Sequence, residues 1–278
     1  MPEGSGVSVQ SSEAGKPLKS GLGLRIGSAL VMTPIAIAAV WFGSPFYELL
    51  LLVFSIGMLW EWLRMCAPLR AGILAGIASL GLAVAMVMQW VSAEILIFVP
   101  VIVATLIVLA MTGTERKLVV IGIVYVSVAA LAAQWLRGHH DDGLLLIMWL
   151  FLVVWATDTG AYAFGRAIGG PKLAPRFSPK KTWAGLFGGM FCAALVGGIT
   201  VFVADGPNII IIAVASAVLA IVAQIGDLAE SALKRHFDVK DSSNLIPGHG
   251  GFLDRADGML SVFPVAFVIV FFFDLTLR

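Results

Sequence analysis

The chain consists largely of apolar stretches about twenty residues long, separated by short polar segments. An α-helix needs about twenty apolar residues to cross the hydrocarbon core of a membrane, and every backbone group there must be hydrogen-bonded. The pattern predicts nine membrane-spanning helices, without the period-2 alternation of a β-barrel. Their expected bounds are 26–42, 46–65, 71–90, 93–112, 118–136, 144–165, 184–204, 208–230 and 259–277.

The composition also predicts an all-α polytopic integral membrane protein. Hydrophobic residues make up 59% of the 278 residues and charged residues only 13%, and the mean hydropathy is +0.97. A soluble domain carries about a quarter charged residues, so a soluble globular fold is excluded. Residues 1–25 begin with a stretch rich in Ser, Gly and Lys. They are expected to form a disordered cytoplasmic tail.

The distribution of basic residues predicts the orientation, because loops rich in Lys and Arg stay in the cytoplasm. With nine spans and a cytoplasmic N-terminus, every Lys and Arg except Arg137 and Arg278 falls on the cytoplasmic side. On this topology, five spans at 26–142 form a membrane scaffold. Four spans at 143–278 form a catalytic region. Its two cytoplasmic loops are predicted at 166–183 and 231–258.

Asp158 is the first polar residue that stands out within the spans of the second half. In the sequence WATDTGAYAFGR it precedes Tyr162 and Arg166 by four and eight residues, which places the three side chains on one helix face. A carboxylate within a membrane helix is costly and usually faces a polar cavity. An Asp–Arg pair that only anchors the helix end would fit the same spacing.

Two further polar groups lie next to the seventh and eighth spans. Residues 178–185, SPKKTWAG, hold Lys180 and Lys181, which either bind a polyphosphate or satisfy the positive-inside rule. Asp227 follows a long apolar run and is expected below the membrane surface, where a carboxylate needs a cation. Its helix face carries three more polar side chains, which are Glu230, Ser231 and Lys234.

The fourth polar group is PGHGGFLDRADG, in which Asp254 and Asp257 are three residues apart. On a helix these carboxylates point the same way, and they repel each other unless a metal ion or a proton lies between them. Mg²⁺ prefers carboxylate oxygens and completes its shell with water and phosphates. The preceding glycines can offer backbone N–H groups to an anion, although a tight turn into the last helix also explains them.

Carboxylates for a metal ion, lysines for phosphate and glycines for close approach are the components of phosphoryl or nucleotidyl transfer. The sequence contains neither a G-x-x-x-x-G-K-[ST] phosphate loop nor a G-x-S-x-G nucleophile motif. The polar groups are expected at membrane depth on the cytoplasmic side. They favour an enzyme that joins a soluble nucleotide to a lipid, without naming either substrate.

The polar segments form four motifs in a fixed order. They are D-x-x-A-Y-x-x-G-R at 158–166, SPKKTW at 178–183, Q-x-G-D at 224–227 and S-A-L-K-R-x4-K-D-x4-I-P-G-H-G-G-x-L-D-R-x-D at 231–257. The long motif closely resembles the highly specific signature of phosphatidate cytidylyltransferases, also called CDP-diacylglycerol synthases. The three shorter motifs are similar to that family in the same order.

The chain departs from the family pattern at two positions. Ala184 stands where many members are expected to carry Glu, which puts an essential carboxylate there in doubt. Ala256 stands where an aliphatic residue is usual, which is a mild difference.

The resemblance implies that CTP and phosphatidic acid are converted to CDP-diacylglycerol and pyrophosphate in the cell inner membrane, at a site facing the cytoplasm. It implies Mg²⁺, alone or with a second cation, on Asp227, Asp254 and Asp257. The same three residues and Lys234 are expected to be catalytic. The residues expected to bind substrate are Ser178, Lys180, Lys181, Thr182, Ser231, Arg235, His249, Gly250, Gly251, Asp158, Tyr162 and Arg166.

Further expectations concern partners. Membrane lipids are expected to contact the spans, a homodimer is implied by the family, and no nucleic acid is expected to bind. Two other functions are weighed against this one. The first is a CTP-dependent lipid alcohol kinase, and the second is an ion-coupled transporter that uses Asp158 and Asp227.

Overall fold

The computed structural model describes residues 22–91, 94–113, 115–138, 142–246, 248–273 and 275–278. Within these ranges the fold is all-α, as predicted, apart from one short hairpin. The helices are α1 (Leu22–Phe42), α2 (Phe46–Cys66), α3 (Ala71–Trp90), α4 (Val99–Met111), α5 (Arg116–Gly138), α6 (Gly143–Ala167), α7 (Trp183–Val203), α8 (Ile209–His236) and α9 (Leu253–Phe273). Residues 1–21 of the predicted tail lie outside the described residues.

Among the described residues, seven helices are long and apolar enough to cross a membrane, so the chain is a polytopic membrane protein. They are α2, α3, α5, α6, α7, α8 and α9. The remaining two predicted spans correspond to shorter apolar stretches, Leu30–Phe42 and Leu96–Met111. At 13 residues, α4 is about 20 Å long against a hydrocarbon core of about 30 Å. The count of nine spans therefore stays a prediction.

The two predicted halves pack against each other through shared helices. Two clusters of buried apolar residues fill the interior, and both α5 and α9 contribute to each of them. Tyr125 of α5 also shares a hydrogen bond with Ser261 of α9, whose hydroxyl oxygens lie 2.6 Å apart. The first five helices thus position the helix that carries Asp254 and Asp257.

Small residues allow α6 and α7 to pack closely. A Cβ at Gly185 would lie 2.8 Å from the carbonyl oxygen of Ala161, and one at Gly189 would lie 2.9 Å from that of Thr157. Glycine at such contacts lets the backbones of membrane helices approach each other. This packing holds the start of α7, and the hairpin before it, beside the end of α6 that carries Asp158.

The structure changes the predicted extent of both polar loops. Part of 166–183 forms an antiparallel hairpin of β1 (Lys172–Ala174) and β2 (Ser178–Thr182). The segment 231–258 contains the end of α8 up to His236 and the start of α9 at Leu253, six residues before the predicted span. Asp254 and Asp257 therefore lie on a helix from its first turns rather than in a loop.

Candidate active site

The predicted polar groups meet at one end of the helix bundle. The end of α6, the hairpin, the end of α8 and the start of α9 all lie there, because the short hairpin joins α6 to α7 and a polar loop joins α8 to α9. The C-terminal end of α2 also reaches this region through Glu61. Residues far apart in sequence are therefore neighbours in one polar centre.

Lys181 and Asp227 form the ion pair that joins the hairpin to α8. Lys181 Nζ lies 2.5 Å from Asp227 Oδ2. Side chains alternate along a strand, so Lys180 points the other way and is exposed. The Ser231 hydroxyl donates to Asp227 Oδ1 at 3.3 Å. Of the two adjacent lysines, Lys181 is the one that the fold places within the centre.

Asp257 and Asp158 bring two further carboxylates close to Asp227. Both lie near enough to Asp227 for their negative charges to repel it. The Gly258 N–H donates to Asp257 Oδ1 at 2.7 Å. Gly226 allows α8 to touch α9 here, since a Cβ on it would lie 2.7 Å from the Asp257 carbonyl oxygen. Asp158 and Asp257 thus lie within electrostatic range of Asp227, whose ion-pair partner is Lys181.

Asp254 has a different set of partners from Asp257. Lys234 Nζ lies 2.7 Å from Asp254 Oδ1 and 2.9 Å from Glu230 Oε1. Asp254 Oδ2 accepts the Gly251 N–H at 2.8 Å, the Ser242 N–H at 3.0 Å and the Ser242 hydroxyl at 2.9 Å. Both oxygens of Asp254 are engaged, so its carboxylate organises the polar loop and orients Lys234.

Glu61 of α2 is a residue of this centre that the sequence reasoning missed. Its side chain is completely buried, and it lies in a helix that was predicted to be scaffold. Its Oε1 accepts the Ser243 hydroxyl at 2.6 Å and the Phe252 N–H at 2.9 Å. Its Oε2 accepts the Leu253 N–H at 2.8 Å and lies 3.0 Å from the Ser242 hydroxyl.

The contacts of Glu61 explain why α9 begins at Leu253. The first N–H groups of a helix lack partners within the helix, and a negative charge near them is favourable. Glu61 supplies both the acceptors and the charge from another helix. A carboxylate within an apolar span was the available sequence signal, since such residues are usually functional.

Gly251 fits between the two carboxylates that hold the loop. A Cβ on Gly251 would collide with the Ser242 hydroxyl and with Glu61 Oε1. Its N–H is already donated to Asp254. Gly250, at φ +84°, would bring a Cβ to 2.7 Å from Asp254 Oδ2. The structure therefore gives both glycines a packing role, and the expected contact with an anion remains a prediction.

Gly251→Ala is expected to lower the thermal midpoint of the detergent-solubilised protein by several degrees. The added methyl group must displace Ser242 or Glu61, and overpacking of this kind costs about 1–3 kcal/mol. Gly76→Ala is the control, because a Cβ there meets nothing within 4 Å. An unchanged midpoint for Gly251→Ala in a scan of both variants would contradict the tight fit.

Three other residues predicted to bind substrate have hydrogen-bond partners outside the carboxylates of this centre. Tyr162 is exposed and its hydroxyl accepts Arg166 Nη1 at 2.8 Å, so the two share a helix face as predicted. Thr182 is buried, and its hydroxyl oxygen accepts the Gly185 N–H at the start of α7. His249 Nδ1 lies 2.6 Å from the Ser28 hydroxyl oxygen of α1.

Two more predicted residues lie at the edge of the centre. Arg235 is exposed and donates to the Val239 carbonyl oxygen at 3.2 Å. Ser178 is half-buried at the start of β2. Neither has a contact with the carboxylates among the hydrogen bonds of the described residues, so their substrate roles stay predictions.

The carboxylates of this centre offer ligands for a divalent ion. Within the described ranges, no group of three or more His, Cys, Asp or Glu side chains forms a ready metal site. Asp227 and Asp257 nevertheless supply hard oxygen donors that repel each other. Mg²⁺ is commonly held by one or two carboxylates with water and substrate phosphates. This donor set fits such an ion. Asp254 differs from Asp227 because its side chain is only 7% exposed, against 31%, and its two oxygens accept from Lys234, Gly251 and Ser242.

A sequence model described as "Cytidylyltransferase family" matches residues 23–273 of the chain. The chain belongs to the cytidylyltransferase family. The match runs from the second residue of α1 to the last residue of α9 and includes both polar loops. The match therefore includes the first five helices, whereas the four motifs lie between residues 158 and 257.

Several bacterial proteins are similar to this chain, two of them along most of its length. A Brucella suis protein named phosphatidate cytidylyltransferase is 39% identical over 245 residues, which are 87% of this chain and 90% of that protein. A Rickettsia felis protein of the same name is 35% identical over 259 residues, covering 90% and 93%. A Staphylococcus haemolyticus protein of that name is 47% identical over 132 residues, covering 47% and 51%.

Proposed function

We propose that this protein is a phosphatidate cytidylyltransferase, which converts CTP and phosphatidic acid to CDP-diacylglycerol and pyrophosphate. Its family supports this function, as do relatives of that name that match most of the chain. The decisive structural observation is that Lys181, Asp227 and Asp257 meet at one end of a membrane helix bundle. A centre in that position can receive a soluble nucleotide and a lipid together.

The reaction forms a bond between a phosphate oxygen of the lipid and the α-phosphorus of CTP, and pyrophosphate leaves. The attacking phosphate oxygen is already an anion, so the reaction needs no strong general base. Lys181 and Lys234 are the cations nearest the carboxylates. Lys181 can exchange Asp227 for a phosphate oxygen, while Lys234, held by Glu230 and Asp254, keeps positive charge at the start of α9.

Asp227 and Asp257 would hold Mg²⁺, alone or with a second cation. When bound, the ion neutralises negative charge that develops on the phosphates. The sequence prediction also made Asp254 a ligand. The contacts of Asp254 instead support a positioning role, in which it fixes Lys234 and the Gly251 turn. Asp158 adds negative potential beside Asp227 and favours the binding of a cation there.

We infer that the protein lies in the bacterial inner membrane with nine spans and a cytoplasmic N-terminus. Its active site would face the cytoplasm. The support is the excess of basic residues on that side and the bacterial origin of the similar proteins. A homodimer is proposed on the family resemblance alone. Its test is the mass of the purified protein, measured by light scattering after the detergent contribution is subtracted.

Purified protein incubated with phosphatidate, Mg²⁺ and each of ATP, CTP, GTP and UTP is expected to release pyrophosphate with CTP. We expect a preference of at least about 100-fold, because a polar site rejects analogues that leave its groups unpaired. The lipid product is identified by mass, and Asp257→Asn protein gives the background. Release of CDP when diacylglycerol replaces phosphatidate would indicate a lipid alcohol kinase, and ion flux into vesicles without a lipid product would indicate a transporter.

A further inference from the structure

Two adjacent apolar cavities meet at the side chain of Arg255. The first has a volume of about 270 Å³ and lies between α1, α2 and α6, where Ala36, Phe54 and Trp155 contribute to its wall. Its polar end is formed by His249 and Arg255. The second, of about 130 Å³, shares Ala36, Phe54 and Arg255 and continues between α2, α5 and α9. We call the two cavities together the α1–α6 groove.

The α1–α6 groove is bordered by apolar side chains at the surface of the bundle. Ile37 of α1 is 42% exposed, and Leu152 and Trp155 of α6 are 39% and 50% exposed. The helix α6 is long and apolar enough to cross a membrane. An exposed apolar side chain on a spanning helix faces the acyl chains of the bilayer. The groove is therefore accessible to a lipid from the side.

Arg255 carries a positive charge that no other described side chain neutralises. It is exposed in the first turn of α9, and none of the ion pairs or side-chain hydrogen bonds within the described ranges includes its guanidinium. An exposed guanidinium without an ion-pair partner is available to an anionic ligand. His249, held by Ser28, lies at the same end of the groove.

We propose that the α1–α6 groove binds phosphatidic acid, with the acyl chains in the two apolar cavities and the phosphate on Arg255 and His249. A guanidinium can hold a phosphate through two parallel hydrogen bonds. Two connected cavities suit a lipid that has two chains. Arg255 lies between Asp254 and Asp257 in the sequence, and two residues span about 3 Å along a helix. A phosphate on Arg255 therefore lies at the same depth along α9 as the carboxylates, on a neighbouring face of the helix.

This inference rests on the proposed function, because it assigns one of the two substrates to a particular place. It makes Arg255 a binding residue for the lipid rather than for CTP. The acyl chains would enter between α1 and α6, on a side of α9 different from the one that faces Lys181 and Asp227. Because the two substrates bind at different places, a substitution in the groove is expected to change the KM for phosphatidate without changing the KM for CTP.

Arg255→Gln is expected to raise the KM for phosphatidate by about 10- to 100-fold, the loss expected for a charged hydrogen-bonded contact. The KM for CTP is expected to change less than about twofold. Both are measured with the purified full-length enzyme in mixed micelles. Arg176→Gln, in the turn of the hairpin, is the control for loss of one positive charge. A raised KM for CTP alone would overturn the assignment.

Ala36→Trp tests the groove independently, because Ala36 lines both cavities. We expect kcat/KM with dioleoyl phosphatidate to fall by about tenfold, since one buried apolar contact is worth that much. With dihexanoyl phosphatidate, whose chains are short, the loss should be less than about twofold. Ala38→Trp is the control, because Ala38 is exposed on the same helix and lines neither cavity.

The assays with the two lipids distinguish an error in the groove assignment from an error in the proposed function. Equal losses with long and short chains, or an unchanged KM for phosphatidate in Arg255→Gln, would overturn the groove while the wild-type activity stands. A wild-type enzyme that forms no CDP-lipid from either phosphatidate would contradict the proposed function itself. The expected result is a chain-length effect in Ala36→Trp together with a phosphatidate-specific effect in Arg255→Gln.

Discussion

Asp257→Asn is expected to lower kcat by about 1,000-fold, in line with the loss of one preorganised charge or metal ligand. Asparagine keeps the shape of the side chain and can still accept the Gly258 N–H. It also removes the repulsion that Asp257 has with Asp227 and Asp158. The thermal midpoint should therefore stay the same or rise while pyrophosphate release is lost.

Asp254→Asn is the matched comparison for Asp257→Asn, because it changes the same residue type one turn earlier. It should lower both the turnover and the thermal midpoint. Lys234 would lose a charged partner at 2.7 Å, and an amide cannot replace the carboxylate for Ser242, Gly251 and Lys234 at once. If Asp257→Asn kept more than about a tenth of the turnover, the proposed role of its carboxylate would be wrong.

Glu61→Gln is expected to lower kcat by about 100-fold and the thermal midpoint by several degrees. Three donors converge on the Glu61 carboxylate, which are the Ser243 hydroxyl and the N–H groups of Phe252 and Leu253, and the Ser242 hydroxyl oxygen lies 3.0 Å away. A glutamine replaces one acceptor oxygen by a donor, and each buried donor left unpaired costs about 1–3 kcal/mol. The loop and the start of α9 would then shift away from Lys181 and Asp227.

Two controls distinguish positioning by Glu61 from a general loss of folding. Glu61→Asp keeps the charge and should restore part of kcat, while Glu48→Gln removes a carboxylate at the other end of α2 and should have less than a twofold effect. Turnover and both KM values are measured by pyrophosphate release. If Glu61→Gln changed only the amount of folded protein and left kcat intact, Glu61 would have no positioning role.

The helices could be predicted well because hydropathy is a local property. Each of the nine predicted apolar windows overlaps one observed α-helix. The predicted span 259–277 begins six residues after the start of α9 at Leu253. Counting apolar residues excluded Asp254 and Asp257 from the span. The helix nevertheless begins there, because Glu61, almost two hundred residues away, accepts its first N–H groups.

The sequence marked several polar residues of the candidate site but neither Glu61 nor the arrangement of the site. The dense polar signature and the family resemblance marked Asp227, Asp254 and Asp257 together. The structure pairs Asp254 with Lys234, whereas Asp257 lies near Asp227 and Asp158. Spacing of three residues places two side chains on one face, but it says nothing about which neighbouring helix each of them meets.

Hydropathy and motifs were sufficient to predict a bundle of membrane helices and its family, because each depends on residue types close together in the chain. The orientation inferred from the basic residues stays a prediction. The pairing of Lys181 rather than Lys180 with Asp227, the roles of Glu61 and Gly251, and the groove at Arg255 depend on distances between separate helices. Such distances arise only when α2, α6, α8 and α9 pack together, since the energy of a buried polar contact depends on all of its partners.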